Sequence, residues 1–204
     1  QAGHQHRLAD VGTGALQQSL SVPGSNVKLT AIGDAFRPNI ENALRAVEEM
    51  KDKLDCPENR RFDGLDAYKK VLDHCDMVIL ATPPGFRPFH FAAAIEAGKH
   101  VFMEKPVCVD SFGAQLCLKA AKLADEKKRK VVVGLQRRYD PRYRATVAKI
   151  REGLAGDIIG GQVYWNGAGI WYRNRQPNQT EMQFQVNNWY HFNWLCGDHI
   201  CEQH

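Results

Sequence analysis

Short apolar runs alternate with amphipathic segments over the first two thirds of the chain. Apolar residues at three- and four-residue spacing between Ile40 and Met50 predict a helix with one apolar stripe. The uninterrupted run Met77–Ala81 is typical of a strand that is buried on both faces. Further strands are predicted at 27–32, 100–103 and 130–135, and further helices at 63–72, 89–97 and from Asp110 or Ser111 to about 128. This alternation favours right-handed βαβ units and a parallel sheet with helices on both faces.

The pattern changes after residue 136. Tyr143–Glu152 predicts a helix, and Ile158–Asn166 alternates as a half-buried strand does. Residues 167–180 are rich in Gly, Asn, Arg and Trp and show no period, which indicates a loop over a site or part of a second domain. We therefore expect a Rossmann-like α/β domain at 1–136 and the incomplete start of an α+β domain at 137–204.

Composition and charge exclude several classes of function. The 204 residues carry a net charge of +4, and the one dense basic run, Lys127–Lys130, ends a predicted helix, where cations suit the helix dipole; we expect no nucleic-acid partner. No run approaches the ~20 apolar residues of a membrane-spanning helix, so no membrane partner is expected. Six cysteines without a C-x-x-C pair favour reduced thiols and a cytoplasmic location, with export of a longer parent left open. The soft side chains near the C-terminus match no common zinc spacing, and no metal is expected at Cys196, His199, Cys201 and His204.

The strongest chemical signal follows the predicted strand 100–103. Glu104-Lys105-Pro106 stand at its carboxyl end, where open α/β sheets bind ligands. A lysine at this edge can donate a hydrogen bond or a proton to a hydroxyl or carbonyl group. By itself, the tripeptide equally describes a turn with a surface salt bridge.

A second signal is Asp34, which follows the predicted strand 27–32. A carboxylate at this position can accept hydrogen bonds from both adenosine ribose hydroxyls of NAD. Arg37 comes three residues later and can contact the 2′-phosphate of NADP instead. A simple cap of the next helix is the plainer alternative for Asp34.

These motifs together resemble the Gfo/Idh/MocA family. Its members share a Thr-Pro strand end, here Ala81-Thr82-Pro83, a helix-to-strand joint like Ala94–Val101, and then Glu-Lys-Pro. The resemblance covers about Gly12 to the C-terminus. It implies an NAD(P)-dependent oxidoreductase that transfers a hydride from or to a sugar, cyclitol or related polyol, with NAD as cofactor and NADP as the alternative. An NAD-dependent glycosidase of the same family and a non-catalytic nucleotide-binding fragment stay open.

The resemblance also implies roles for individual residues. Lys105 is the implied acid/base residue beside the nicotinamide, on a loop shaped by its neighbours through a cis Lys-Pro bond. The implied cofactor contacts are Gly12, Gly14, Asp34, Arg37, Ala81, Thr82, Pro83, Glu104, Lys105 and Pro106. The candidate substrate contacts are Lys105, Arg137, Arg138, Trp165 and Tyr172. The two arginines either grip the ligand or pair with Asp140, and the two aromatic residues either stack on a sugar face or belong to a core.

Both ends of the chain depart from the family pattern. Arg7 and Ala9 stand where the first two glycines of a G-x-G-x-x-G loop belong, and Gly12-Thr13-Gly14 predicts the end of that loop before a helix. Residues 197–204 resemble the start of a family element that places Glu202 in its first acidic position and the catalytic His beyond His204. We therefore expect a chain truncated at both ends, from a parent that binds a small sugar-like substrate and forms homo-oligomers through its substrate domain.

Overall fold

Helices and strands alternate through most of the chain in the computed structural model, which describes residues 8–167 and 169–203. The strands are β1 Ile32–Asp34, β2 Arg61–Asp63, β3 Met77–Leu80, β4 His100–Met103 and β5 Val131–Val133. The helices are α1 Leu8–Leu20, α2 Arg37–Ala46, α3 Ala67–Leu72, α4 Arg87–Glu96, α5 Ser111–Glu126, α6 Gln136–Tyr139, α7 Pro141–Arg151, α8 Glu181–Asn187, α9 Asn193–Cys196 and α10 His199–Gln203. Single 3-10 turns lie at Lys51–Lys53, Glu58–Arg60 and Trp189–His191.

Every strand ladder is parallel, which confirms the expected α/β class. β1 pairs with β2, with Ile32 opposite Arg61. β4 lies between β3 and β5, with Val101 opposite both Val78 and Val131. The sheet is nevertheless divided into two parts, because no ladder joins β1 to β3 within the described ranges.

The larger sheet carries the main core. Leu80, Val101 and Met103 are buried against apolar side chains of α4 and α5, among them Phe91 and Ala120. α5 begins where the Asp110 side chain accepts a hydrogen bond from the N–H of Gly113, which is the first of the two helix starts that the sequence left open, Asp110 and Ser111. α4 begins directly after the Pro83-Pro84-Gly85 turn, which keeps the carboxyl end of β3 close to the first turn of this helix.

Several predicted boundaries are wrong. The strand predicted at 27–32 is β1 at Ile32–Asp34, and only Leu29 before it makes a bridge, to Leu54. β2 was not predicted, because its three residues show no alternation. Ile158–Asn166 forms no strand, since no neighbouring strand pairs with it, and Ile159 is 99% exposed. Gly12 and Gly14 lie inside α1 and not in a loop before it.

The segment after residue 170 packs on the carboxyl ends of β1 and β3. Trp189 and Leu195 belong to a buried cluster that contacts Phe36, just beyond β1, and Phe86, beyond β3. Gly85 donates a backbone hydrogen bond of 2.7 Å to the carbonyl of Leu195. A side chain at this glycine would lie 2.2 Å from the carbonyl oxygen of Trp194, so only glycine allows the approach. Among the helices described here, none has the length and apolar character needed to span a membrane.

Candidate functional site

A cavity of about 280 Å³ lies between β1 and β3 and reaches their carboxyl ends. The structure brings together five of the predicted cofactor contacts as lining residues: Gly12, Asp34, Ala81, Thr82 and Pro83. α1 approaches β3 so closely that a side chain at Gly12 would lie 3.3 Å from the Cβ of Ala81. Glycine at this position therefore allows α1 to pack closely against the end of β3 beside the cavity.

Asp34 faces this cavity with a carboxylate that is already ordered. Its Oδ1 accepts hydrogen bonds from the N–H of Phe36 at 2.8 Å and from the side-chain amide of Asn39 at 2.9 Å. Burial raises the pKa of Asp34, and the two hydrogen bonds oppose that rise. The N-cap of α2 is Phe36 and makes no side-chain cap, so Asp34 does not act as a simple helix cap.

Arg37 is engaged by carboxylates away from the cavity. Its Nε lies 2.9 Å from Oε1 of Glu41, and one terminal nitrogen pairs with Glu58. The other donates to the carbonyl of Arg61 at 3.2 Å. These contacts occupy the guanidinium group on the α2 and β2 side, and Arg37 is not among the residues that line the cavity.

Lys105 stands one strand further along the sheet, at the end of β4. The Lys105-Pro106 bond is cis, as the resemblance implied. The Nζ atom of Lys105 donates to the carbonyl of Glu202 at 2.5 Å and lies 3.2 Å from its carboxylate. Burial raises the pKa of Glu202, and the nearby Lys105 opposes that rise. Within the described part of the chain, the second carboxylate oxygen of Glu202 is buried and has no hydrogen-bond partner.

Arg87, at the start of α4, connects the cavity to the Lys105 loop. Arg87 is 2% exposed, and its guanidinium group donates to the carbonyls of Thr82, Glu104 and Pro106. Burial lowers its pKa to about 10, so the group stays charged at neutral pH. The side chain of Arg87 therefore links the ends of β3 and β4 and hydrogen-bonds the residues on both sides of Lys105.

His90 lies one turn after Arg87 and supports the same strand end. Its Nδ1 is 3.1 Å from the hydroxyl of Thr82, and its ring stacks on Tyr68 with centroids 4.0 Å apart. Burial, assisted by the positive charge of Arg87, lowers the pKa of His90 to about 4. The imidazole is therefore neutral at pH 7.

Glu104 packs against the first residue after β5. A side chain at Gly134 would lie 2.6 Å from the carboxylate of Glu104, so this glycine leaves room for the acidic group. Glu104 and Pro106 flank Lys105 and do not line the cavity. Gly14, in α1, does not line it either. Five of the ten predicted cofactor contacts thus line the cavity, three form the lysine loop, and Gly14 and Arg37 belong to neither group.

The candidate substrate residues form two groups. Arg137 lies over the ring of Trp165, 5.4 Å from its centroid, and its Nε is 3.3 Å from the hydroxyl of Tyr143. Tyr172 instead makes edge-to-face ring contacts with Phe184 and His191. Arg138 is exposed.

The alternative pairing of these arginines with Asp140 is wrong. Asp140 caps α7 and forms its ion pair with Arg142 at 2.7 Å. The aromatic side chains of Trp165 and Tyr172 are both largely exposed, and neither belongs to the buried core.

Two residues of the site, Arg87 and Glu202, are not among the catalytic, cofactor or substrate contacts that the sequence predicts. Glu202 was given an acidic position by the resemblance, yet only the fold shows that it meets Lys105. Arg87 was not predicted. A charged residue at the start of a largely apolar helix indicates a buried, hydrogen-bonded charge, and this signal was available in the sequence. In the described ranges, no three His, Cys, Asp or Glu side chains form a metal-binding group; His204 lies outside those ranges.

Comparisons with known proteins agree on the fold. A family model described as an oxidoreductase family with an NAD-binding Rossmann fold, Gfo/Idh/MocA, matches residues 7–135. Inositol 2-dehydrogenase of Rhizobium meliloti is 29% identical over 134 residues, 66% of this chain. The NAD-dependent scyllo-inositol 2-dehydrogenase of Bacillus subtilis is 31% identical over 174 residues, 80% of this chain. The structure of myo-inositol 2-dehydrogenase from Lactobacillus plantarum aligns over 74% of this chain with a TM-score of 0.56 and 25% identity.

The chain spans less than half the length of these relatives. The matched region is 36% of the Rhizobium protein and 44% of the Bacillus protein. It is 40% of the Lactobacillus chain. The comparison therefore concerns less than half of each of those enzymes.

Proposed function

Because the chain belongs to the Gfo/Idh/MocA family, with its NAD-binding Rossmann fold at residues 7–135, we propose that it is the cofactor-binding part of an oxidoreductase acting on a cyclitol or related sugar polyol. The observation that carries the proposal is the contact between Lys105 and the buried Glu202 at the carboxyl edge of the sheet. Open α/β sheets bind their ligands at this edge. The inositol dehydrogenases among the relatives support the polyol class.

The residues around the cavity fit a dinucleotide. Asp34 presents a half-buried, pre-oriented carboxylate at the end of β1, which suits the ribose hydroxyls of an adenosine. Arg37 is held by Glu41 and Glu58, which leaves it poorly placed for a 2′-phosphate and favours NAD over NADP. When bound, the nicotinamide supplies the hydride acceptor or donor, and the protein supplies position and proton transfer.

Lys105 handles the proton of the substrate hydroxyl. Its Nζ is held by the carbonyl and the carboxylate of Glu202, so its direction is fixed before substrate arrives. The second carboxylate oxygen of Glu202 is buried and has no partner among the described residues, so it keeps the capacity to accept one hydrogen bond from a donor such as a polyol hydroxyl. Arg87 keeps the loop in place by holding its carbonyls. The chain thus orients the hydroxyl and moves its proton.

The same proposal covers the wider organisation. We assign the dinucleotide-binding domain to 1–136, and the start of a substrate and oligomerisation domain to 137–204. Exposed apolar side chains on α7 and beyond it, such as Ile150, Ile159 and Val163, support further packing partners in a longer homo-oligomeric parent. Six free thiols support a reducing compartment such as the cytoplasm.

The test is calorimetric titration of the purified chain with NAD and with NADP, beside a Lys105→Ala variant. We expect saturable binding of NAD that is stronger than binding of NADP, because the Asp34 carboxylate accepts hydrogen bonds from the free ribose hydroxyls of NAD. Lys105→Ala should leave NAD affinity nearly unchanged and abolish oxidation of an inositol in a chain extended to the length of the relatives. NAD binding without any turnover in the extended protein would favour a non-catalytic role, and binding of neither cofactor would refute the proposal for this chain.

A further inference from the structure

Two cysteines lie beside the contact of Lys105 with Glu202. Cys108 follows Lys105 by three positions, and Cys201 directly precedes Glu202 in α10. The Sγ–H of Cys201 donates to the carbonyl of Cys108 at 3.4 Å, although the two residues are 93 positions apart in the chain. The packing of α10 that brings the carboxylate to the lysine therefore also brings these two cysteines together.

The two cysteines are separated by about the distance that a disulfide spans. A carbonyl oxygen lies about 2.4 Å from the Cα of its own residue, so the Cys201 sulfur is within about 6 Å of the Cα of Cys108. The Cα atoms of a disulfide are about 4.4–6.8 Å apart. Turning the two side chains toward each other, with a small shift of α10, therefore brings the sulfur atoms into bonding range.

Both cysteines stand on backbone that is held in place. On the loop side, the thiol of Cys117 donates to the carbonyl of Val107 at 3.4 Å. On the α10 side, the carboxylate of Asp198 accepts a hydrogen bond from the N–H of Cys201 at 3.0 Å. Groups that are held side by side react with each other far faster than groups that meet by diffusion.

Exposure distinguishes this pair from the neighbouring thiols. Cys201 is exposed and Cys108 is half-buried, whereas Cys117 and Cys196 are buried. Burial raises the pKa of Cys117 to about 11, so this thiol stays protonated at neutral pH. Burial also raises the pKa of Cys108 and of Cys201, and the charge of Lys105 opposes the rise at Cys201. Their exchange with an external disulfide is therefore faster at pH 8 than at pH 7.

We propose that Cys108 and Cys201 are a redox modification site, where glutathione disulfide forms a reversible bond that fixes α10 on the Lys105 loop. The thiolate of Cys201 attacks one glutathione sulfur, which leaves a mixed disulfide and releases one glutathione thiolate. The thiolate of Cys108 then attacks the Cys201 sulfur and releases the second. Two protein thiols are oxidised, one glutathione disulfide is reduced, and the two protein protons end on the two glutathione thiols. In a reducing compartment, the pair stays open until oxidised glutathione accumulates.

The consequence for regulation rests on the proposed function. Cys201 and Glu202 are consecutive in α10, and their N–H groups are both bonded to Asp198. A covalent bond at Cys201 therefore restrains the backbone that carries the Glu202 carboxylate. Oxidation keeps the acid/base pair of Lys105 and Glu202 assembled, because α10 can no longer open away from the loop.

The experiment treats the whole chain with glutathione disulfide at pH 8, blocks the remaining thiols and maps disulfides by mass spectrometry without reduction. We expect one cross-link, between Cys108 and Cys201, which dithiothreitol removes. Hydrogen exchange at the amides of Cys201 and Glu202 should be slowed by about tenfold or more, with exchange in α7 unchanged. A lasting mixed disulfide with glutathione, a bond between other cysteines or no oxidation would overturn the proposal.

Matched serine variants locate the bond. Cys201→Ser and Cys108→Ser should each abolish the cross-link and the slowed exchange. Cys75→Ser is the control, because Cys75 is half-buried like Cys108 but lies between α3 and β3. If Cys108→Ser does not fold, Cys201→Ser decides, since its side chain is exposed. A cross-link without slowed exchange in α10 would refute the restraint on Glu202.

These measurements use neither NAD nor turnover. Failure of NAD to bind would therefore count against the proposed function alone, and absence of the cross-link would count against the redox site alone.

Discussion

Replacing Arg87 with methionine tests whether one buried cation organises the Lys105 loop. Methionine keeps much of the side-chain volume but removes the donors to the carbonyls of Thr82, Glu104 and Pro106. Each buried carbonyl left without a partner costs about 1–3 kcal/mol. Removing a buried charge returns part of this loss, because burial opposes the charged form of Arg87.

The balance predicts a loss of about 3 kcal/mol in the free energy of unfolding. For a chain of this size, that corresponds to a fall of roughly 6–12 °C in Tm. Urea titration followed by circular dichroism measures the first quantity, and a thermal scan measures the second. Arg87→Lys keeps the charge but cannot reach three carbonyls at once, so about half of the loss is expected.

The control for Arg87→Met is Arg144→Met, which removes an exposed guanidinium group from α7. Its effect should stay within about 0.5 kcal/mol. If both methionine variants unfold at the same urea concentration, the carbonyl contacts of Arg87 do not hold the loop, and the reasoning fails.

Three further predictions concern neighbouring features of the site. His90 has a pKa of about 4 in the folded chain, below the ordinary value of the unfolded chain. The unfolded state therefore binds more protons at pH 5, and the free energy of unfolding falls by about 2 kcal/mol between pH 7 and pH 5. Urea titrations at the two pH values measure this fall, and a His90→Gln variant with the same pH dependence would contradict the prediction. Gly85→Ala should lower the free energy of unfolding by more than about 2 kcal/mol, because its side chain would clash with the backbone of the C-terminal segment. Gly14→Ala, in open space on α1, is the control and should raise it by about 0.5–1 kcal/mol. Equal melting temperatures of the two variants would refute the close contact at Gly85. A double-mutant cycle with Lys105→Met and Glu202→Gln should give a coupling energy of about 1 kcal/mol by urea unfolding, and strict additivity would show that the ion pair does not form in solution.

The parallel α/β class could be predicted because buried strands and amphipathic helices leave separate signatures. β4 was predicted at 100–103, where the apolar run is continuous, and β3 within one residue of its end. β2 could not be predicted, because a three-residue strand with charged ends has no period to detect. Ile158–Asn166 alternates correctly but has no partner, and a strand exists only when its backbone is paired.

The site was predictable only where it is local in sequence. Glu104-Lys105-Pro106 and Asp34 stand at strand ends, and their position follows from the strand that precedes them. The contact of Lys105 with Glu202 joins residues 97 positions apart and depends on the packing of α10. The hydrogen bonds of Arg87 go to main-chain carbonyls. Every residue type has such a carbonyl, so the sequence does not show which residues accept these bonds.

The distance along the chain between Lys105 and Glu202 has a consequence for biosynthesis. Translation proceeds at roughly 5–20 residues per second, so Glu202 is made about 5–20 s after Lys105. Arg87 and the carbonyls it holds are made before Lys105 or next to it, and we expect their contacts to form before the contact with Glu202. We therefore expect the nascent chain to order the lysine loop while Glu202 is still unmade. Burial of Glu202 is the late event that completes the pair.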